Sequence, residues 1–217
     1  MRLRLFRDRL EAGQQLAANL EHYRDQGAIV LSIPRGGVAV GYPIAEHLDA
    51  ELDIIIPRKL PIPFSPEAGF GAITEDGTII LNEPLVARCG LTSEEISQIA
   101  QEVLTEVQRR VIEYRGPCPN PILKQRIVIL VDDGLATGFT MIAAIHSVKA
   151  QKPDRVVLAV PCSPASTLAH IRPMVDEAVC LVAPDTESFA VANFYQDFHD
   201  MSDAEVKDLL ALRQFRS

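Results

Sequence analysis

The chain has 217 residues, 47 % hydrophobic and 23 % charged, with a net charge of −8. That length fits one medium-sized domain with a substantial core, and the acidic balance counts against a general nucleic-acid surface, which needs a basic face. No apolar run is long enough to span a bilayer and the N-terminal MRLRLFRDRL is charged too often for a signal peptide, so the expectation is a cytoplasmic protein with no membrane partner.

In chain order, Asp8–Gln26 carries helical apolar spacing through Leu10, Leu16, Ala17 and Leu20. Ala28–Ile33 reads as a strand ending in Pro34-Arg35-Gly36-Gly37, and Val38–Leu48 as a helix. Leu52–Pro57 reads as a second buried strand, ending in Arg58-Lys59. Pro61, Pro63 and Pro66 interrupt regular structure. Phe70–Glu75 and Thr78–Asn82 then flank Asp76-Gly77, a two-residue hairpin signal. Thr92–Tyr114 is a long amphipathic helix opened by the capping box Thr92 to Glu95. The proline-rich connector Gly116–Pro121 leads to Ile127–Val131, five apolar residues without a break. Phe139–Ala150 is helical, Arg155–Val160 and Ala178–Val182 are strands, and Ser202–Phe215 closes the chain as a helix. Alternating strands and helices signal a parallel sheet covered on both faces.

The most informative stretch is Arg126–Met141, RIVILVDDGLATGFTM. Its strand stops at two adjacent acids, Asp132 and Asp133, and a turn of small and hydroxylated residues leads into a helix. Amides at a helix N-terminus lack intrahelical partners, and the helix dipole favours an anion there, so this loop suits a phosphate. The acids would repel that phosphate. They suit sugar hydroxyls, which donate to ionised carboxylates. A phosphate beside a diol describes a ribose 5-phosphate. A plain β–α turn capped by Asp is the competing reading, but it requires one acid, and two at the end of a buried strand are costly to desolvate.

This segment resembles the phosphoribosyl-pyrophosphate (PRPP) motif of type I phosphoribosyltransferases: apolar strand, two acids, then Thr137-Gly138-Phe139-Thr140. The resemblance implies an α/β fold: a single open, mostly parallel twisted sheet with helices on both faces, a β-hairpin flap and a small hood. Residues 1–217 would form one domain, with its core at about 28–160, the flap at 60–82 and the hood at about 161–200. It implies transfer of a phosphoribosyl group from PRPP to a nitrogenous acceptor, in such enzymes a nucleobase, with loss of pyrophosphate. Gly134, Leu135, Ala136, Thr137, Gly138, Phe139 and Thr140 would bind the 5-phosphate. Asp132 and Asp133 would hold the ribose hydroxyls and favour the cationic ring, with Mg²⁺ held near them largely through substrate oxygens. Arg35, Gly36 and Gly37 resemble the pyrophosphate loop, in which a strained or cis peptide often presents the amides. Arg58 and Lys59 would also contact pyrophosphate and complete the candidate catalytic set with the two acids. For Arg35-Gly36-Gly37 and for Arg58-Lys59 alike, a solvated turn or strand end is the plain alternative.

Leu60–Asn82, with Gly69 and Gly71 as hinges, would be a lid that keeps water out; a static hairpin is the alternative. The acceptor would sit among Pro161–Thr167 and Phe189–Phe198, where Phe194 and Tyr195 could stack on a planar ring or simply pack the core. Ala136 departs from the acid that enzymes acting on 6-oxopurines carry just before their Thr-Gly pair, which argues against hypoxanthine or guanine. The arrangement of RGG, PRKL and FYQDF looks like a subgroup of such proteins whose acceptor the sequence does not fix.

Competing motifs fail. Gly36 and Gly41 are spaced as in a Walker A loop, but Tyr42-Pro43 stands where Lys-Ser/Thr is required, and no G-x-G-x-x-G follows a strand. An aspartyl-phosphate hydrolase would want a second acid where Gly134 stands. The histidines (His22, His47, His146, His170, His199) form no metal pattern, and Cys89, Cys118, Cys162 and Cys180 read as free thiols. A PRPP-responsive regulator that binds nucleic acid stays open, given a basic patch at Arg2, Arg4, Arg7 and Arg9; so do an inactive assembly subunit and a homodimer.

Overall fold

The computed structural model describes residues 5–63, 65–116, 118–186 and 188–214, without the side chains of 65–68 and 214. Arg2 and Arg4 of the basic patch, Pro117 of the connector and Phe215 of the closing helix therefore lie outside the described residues. The main sheet is built from β1 (Ile29–Ser32), β2 (Glu51–Ile54), β6 (Ile127–Val131), β7 (Arg155–Cys162) and β8 (Glu177–Val182). These five strands run parallel in the order β2-β1-β6-β7-β8. A second, antiparallel sheet holds β3 (Arg58–Ile62), β4 (Ser65–Ile73) and β5 (Ile79–Leu81). The expected parallel core is present, and the expected hairpin gains a third strand.

Alternation along the buried strands splits the core in two. Val30, Leu52, Ile54, Ile129 and Val131 face Leu16 of α1 (Arg9–Asn19), Val38 and Ile44 of α2 (Gly36–Leu48), and Val206 and Leu210 of α7 (Asp203–Gln214). Ile29, Leu31, Val128 and Leu130 face Met141, Ile145 and Val148 of α5 (Phe139–Ala150) and Ile171 of α6 (Ala165–Ile171). Both faces must be apolar because helices cover both. Among the described residues, no helix is long and apolar enough to cross a membrane.

Several boundaries shift. The second strand ends at Ile54 rather than Pro57, because the chain leaves the main sheet there and Arg58-Lys59 open β3 instead. The hairpin loop has three residues rather than two: Thr74 N donates to Thr78 O at 3.0 Å, around Glu75-Asp76-Gly77, with Gly77 at φ 84°. The first helix stops at Asn19, and the seven-residue helices α3 (Glu83–Cys89) and α6 lie outside the expected elements, although Asn82 as N-cap, Pro84 near the start and Gly90 past the end mark α3.

The small sheet packs on α4 (Ser93–Arg115): Leu60, Phe70 and Ile73 are buried with Ala100. Both of its expected hinge glycines sit in close contact with neighbouring chain. A Cβ on Gly71 would lie 2.4 Å from Ile80 O, and one on Gly69 would lie 2.0 Å from Lys59 Cγ. The hairpin tip is tied to α5, where Ser147 donates to Asp76 Oδ2 at 2.7 Å. Ser147→Ala is expected to cost about 1 kcal/mol in urea denaturation, the worth of one hydrogen bond. It should also speed proteolytic cleavage at the tip; an unchanged midpoint and cleavage rate would show the tie to be idle.

Candidate functional site

The chain order reverses between β1 and β6, and an open α/β sheet binds ligands outside the carboxyl ends of its strands at such a point. Ser32 and Val131 are paired there, and Ile33 N donates to Val131 O at 2.9 Å. The Pro34–Gly37 turn and the Asp132–Gly138 loop therefore leave the sheet side by side. They touch directly: a Cβ on Gly36 would lie 1.8 Å from Asp133 Oδ2, and one on Gly37 would lie 3.1 Å from Asp132 Cα. The cis peptide is Pro34–Arg35, one bond before Arg35-Gly36. Gly37 N donates to Ile33 O at 3.1 Å and Val38 N to Arg35 O at 3.1 Å.

Asp132 and Asp133 are partly exposed but closely surrounded. Asp132 Oδ1 accepts from the Asp133 amide at 2.8 Å. Asp133 Oδ2 accepts from Arg9 Nε at 2.7 Å, and the Asp133 carbonyl accepts from the Tyr195 hydroxyl at 2.7 Å. Among the described residues this leaves Asp132 Oδ2 and Asp133 Oδ1 uncommitted. Burial and then the Asp133 charge push the Asp132 carboxyl well above the usual carboxylate range. Burial also raises Asp133, against the pull of Arg9. Two like charges at one strand end resist ionising together.

The following loop opens α5 at Gly138, whose φ is 79°, and no side chain caps the helix. Its first amides thus lack a capping side chain at the positive end of the dipole. Ala136 and Thr137 are exposed, and Phe139 and Thr140 are half-buried. Leu135 differs: its side chain is buried and its amide donates to Cys162 O at 2.9 Å, so it braces the loop from behind. Thr167 Oγ1 donates to Ala136 O at 2.8 Å, joining α6 to the loop.

The basic residues are spread wider. Arg35, at 40 % side-chain exposure, lies 3.8 Å from Asp203 Oδ1. Asp203 also accepts from the Tyr114 hydroxyl. Arg58 is half-buried, and burial together with the nearby Arg110 lowers it from its ordinary value. The stem of Lys59 lies over Gly69.

Phe194 and Tyr195 do not present open rings for stacking. Each is 3 % exposed and packs with Phe6, Phe189 and Phe198. The core-packing alternative holds for both, and the Tyr195 hydroxyl serves the backbone of Asp133. A cavity of about 570 Å³ does adjoin the loop, lined by Thr137, Ser166, Thr167, Asp185, Thr186 and Phe189. A larger one, about 670 Å³, lies at Glu51, Arg115 and Arg126, near the strand starts and away from the acids.

The sequence reading groups Arg9 with Arg2, Arg4 and Arg7 as a basic patch and misses its place here, enclosed against Asp133. Arg9 occupies the first position of α1, where a cation opposes the helix dipole, and that mismatch is the signal that could have exposed it.

Residues 88–197, just over half of the chain, match the family model of the phosphoribosyl transferase domain. The chain is 42 % identical over 204 residues to Mycobacterium tuberculosis proteins named "Putative phosphoribosyl transferase MT0597" (strain CDC 1551) and "Putative phosphoribosyl transferase Rv0571c" (strain H37Rv). The match covers 94 % of this chain and 46 % of each relative, so the chain spans about half the length of the curated relatives it matches. The crystal structure of TT1426 from Thermus thermophilus is similar at 35 % identity and TM-score 0.81, over 96 % of this chain and 98 % of that one.

Proposed function

The chain belongs to the phosphoribosyltransferase family, and we propose that it moves the phosphoribosyl group of PRPP onto a nitrogenous acceptor, residues 1–217 acting as one unit. The observation that carries this reading is the junction of β1 and β6, where a glycine turn touches an acid pair that opens onto an uncapped helix start. In the reaction the bond from C1 to pyrophosphate breaks, its electron pair leaving with the pyrophosphate. A bond from C1 to the acceptor nitrogen forms, and that nitrogen loses its proton.

The uncapped amides of α5, with Thr137 and Thr140, anchor the 5-phosphate and so place the reacting carbon. Asp132 Oδ2 and Asp133 Oδ1 accept from the ribose hydroxyls, and their charge favours the ring as it becomes cationic. The Arg35 and Gly36 amides and the Arg35 guanidinium receive the pyrophosphate, with Arg58 adding positive charge nearby. Lys59 belongs to the same basic stretch. The acceptor enters the cavity beside Thr137, where Phe189 offers an apolar wall and Asp185 and Thr186 offer oxygens for N–H groups.

The two carboxylates fit Mg²⁺, a hard cation that takes one or two protein oxygens and completes its shell from substrate and water. When bound, it would neutralise charge on the departing pyrophosphate.

Calorimetry with PRPP, with and without MgCl₂, is expected to show magnesium-dependent binding. A screen of nucleobases should then show pyrophosphate release with at least one of them. Asp132→Asn should cut that turnover by tenfold or more, about 1.4 kcal/mol of transition-state stabilisation, with an unchanged circular dichroism spectrum. Asp132 is the cleaner target because Asp133 also carries the bond to Arg9. No heat on adding PRPP would end the reading; binding without release on any base would point to a sensor.

A further inference from the structure

Arg9 and Asp133 are 124 residues apart in sequence, yet their ion pair is enclosed, with side-chain exposures of 9 % and 17 %. The guanidinium is held on every side. Its Nη1 donates to the His199 carbonyl at 2.9 Å, its plane lies over Phe198 at 3.9 Å, and its Nε would be 2.7 Å from a Cβ on Gly36. Phe6 closes the arrangement, since its amide donates to Phe194 O at 2.9 Å and its carbonyl accepts from Gln196 N at 2.8 Å. A rigid fork fixed at three points has one geometry to offer.

We propose that Arg9 is the positioning residue of the acid pair: it pins one oxygen of Asp133 so that the carboxylate presents the other to the ribose of PRPP. The inference rests on the phosphoribosyl reading above. The bond to Arg9 also opposes the repulsion between the two acids, which burial otherwise magnifies. The groups facing the pair from packed elements are Arg9 itself, Cys162 at the end of β7 and the Tyr195 hydroxyl. On the outer side of Arg9, Asp8, Asp197, His199, Glu205 and Asp208 line a cavity of about 340 Å³. The His199 ring is engaged by Asp197 and Glu205, both at 3.1 Å, so its carbonyl alone serves Arg9.

The test is PRPP affinity at a single pH, measured by calorimetry with MgCl₂. Arg9→Lys keeps the charge and loses the fork; it is expected to weaken binding about tenfold, the worth of a charge-assisted hydrogen bond, with an unchanged circular dichroism spectrum. Arg9→Gln loses both and is expected to weaken binding further, so that the conservative lysine recovers part of the loss. Wild-type affinity in either folded variant would overturn the inference. If Arg9→Gln does not fold, Arg9→Lys decides alone. Wild-type protein that binds no PRPP would remove the phosphoribosyl reading and this inference together, whereas variants matching a PRPP-binding wild type would remove the inference only.

Discussion

Gly36→Ala is expected to lower turnover about a hundredfold, the effect of displacing reacting groups by roughly 1 Å. The added methyl would stand 1.8 Å from Asp133 Oδ2, 2.5 Å from its carboxyl carbon and 2.7 Å from Arg9 Nε. None of these can step aside cheaply. Asp133 is held through its side chain by Arg9 and through its carbonyl by Tyr195, while Arg9 is fixed by His199 and Phe198. The glycine turn must move instead, and it carries the amides assigned to pyrophosphate. The loss should fall on kcat more than on stability, because the core beneath the turn is untouched. Steady-state kinetics beside a urea titration would check this, and wild-type kcat/KM in the variant would contradict it.

Arg115→Leu is expected to destabilise the fold by about 3–5 kcal/mol, the cost of breaking a buried ion pair from one side. Arg115 Nε donates to Asp53 Oδ1 at 3.0 Å and Nη2 to Ile54 O at 2.9 Å, and Asn120 completes the set. The side chains are 3 % and 8 % exposed. Burial already raises the Asp53 carboxyl and Arg115 opposes that shift, so removing the arginine strands an acid between the last turn of α4 and strand β2. Pairing the change with Asp53→Leu should recover much of the loss, since no unpaired charge then remains. Urea midpoints of the two variants would decide, and equal midpoints would refute the ion-pair account.

What was legible in the sequence was local. The Ile127–Val131 run, the two acids and the small-residue loop are contiguous, and strand, acids and helix start stand where their order implies. Helix α5 matches its expected limits because nothing within twelve apolar-rich residues competes with it. Strand β2 was harder. Ile55 and Ile56 are buried like the strand before them, so hydrophobicity could not reveal that the chain departs for a second sheet. Phe194 and Tyr195 illustrate another limit: an aromatic pair has the same spelling whether it stacks on a ligand or fills a core. Arg9 is the extreme case, since its meaning depends on Asp133 and His199, and neither lies within reach of any local window.

The ties from Arg9 to His199 and from Tyr195 to Asp133 have a bearing on biosynthesis. A ribosome delivers α1 well before the FYQDF stretch, and loop-closing contacts across such spans form slowly. The acid pair can exist early as sequence, but its clasp cannot close until about residue 199 has emerged. A nascent chain halted before that point would hold Asp133 without the full set of contacts that fixes its arginine.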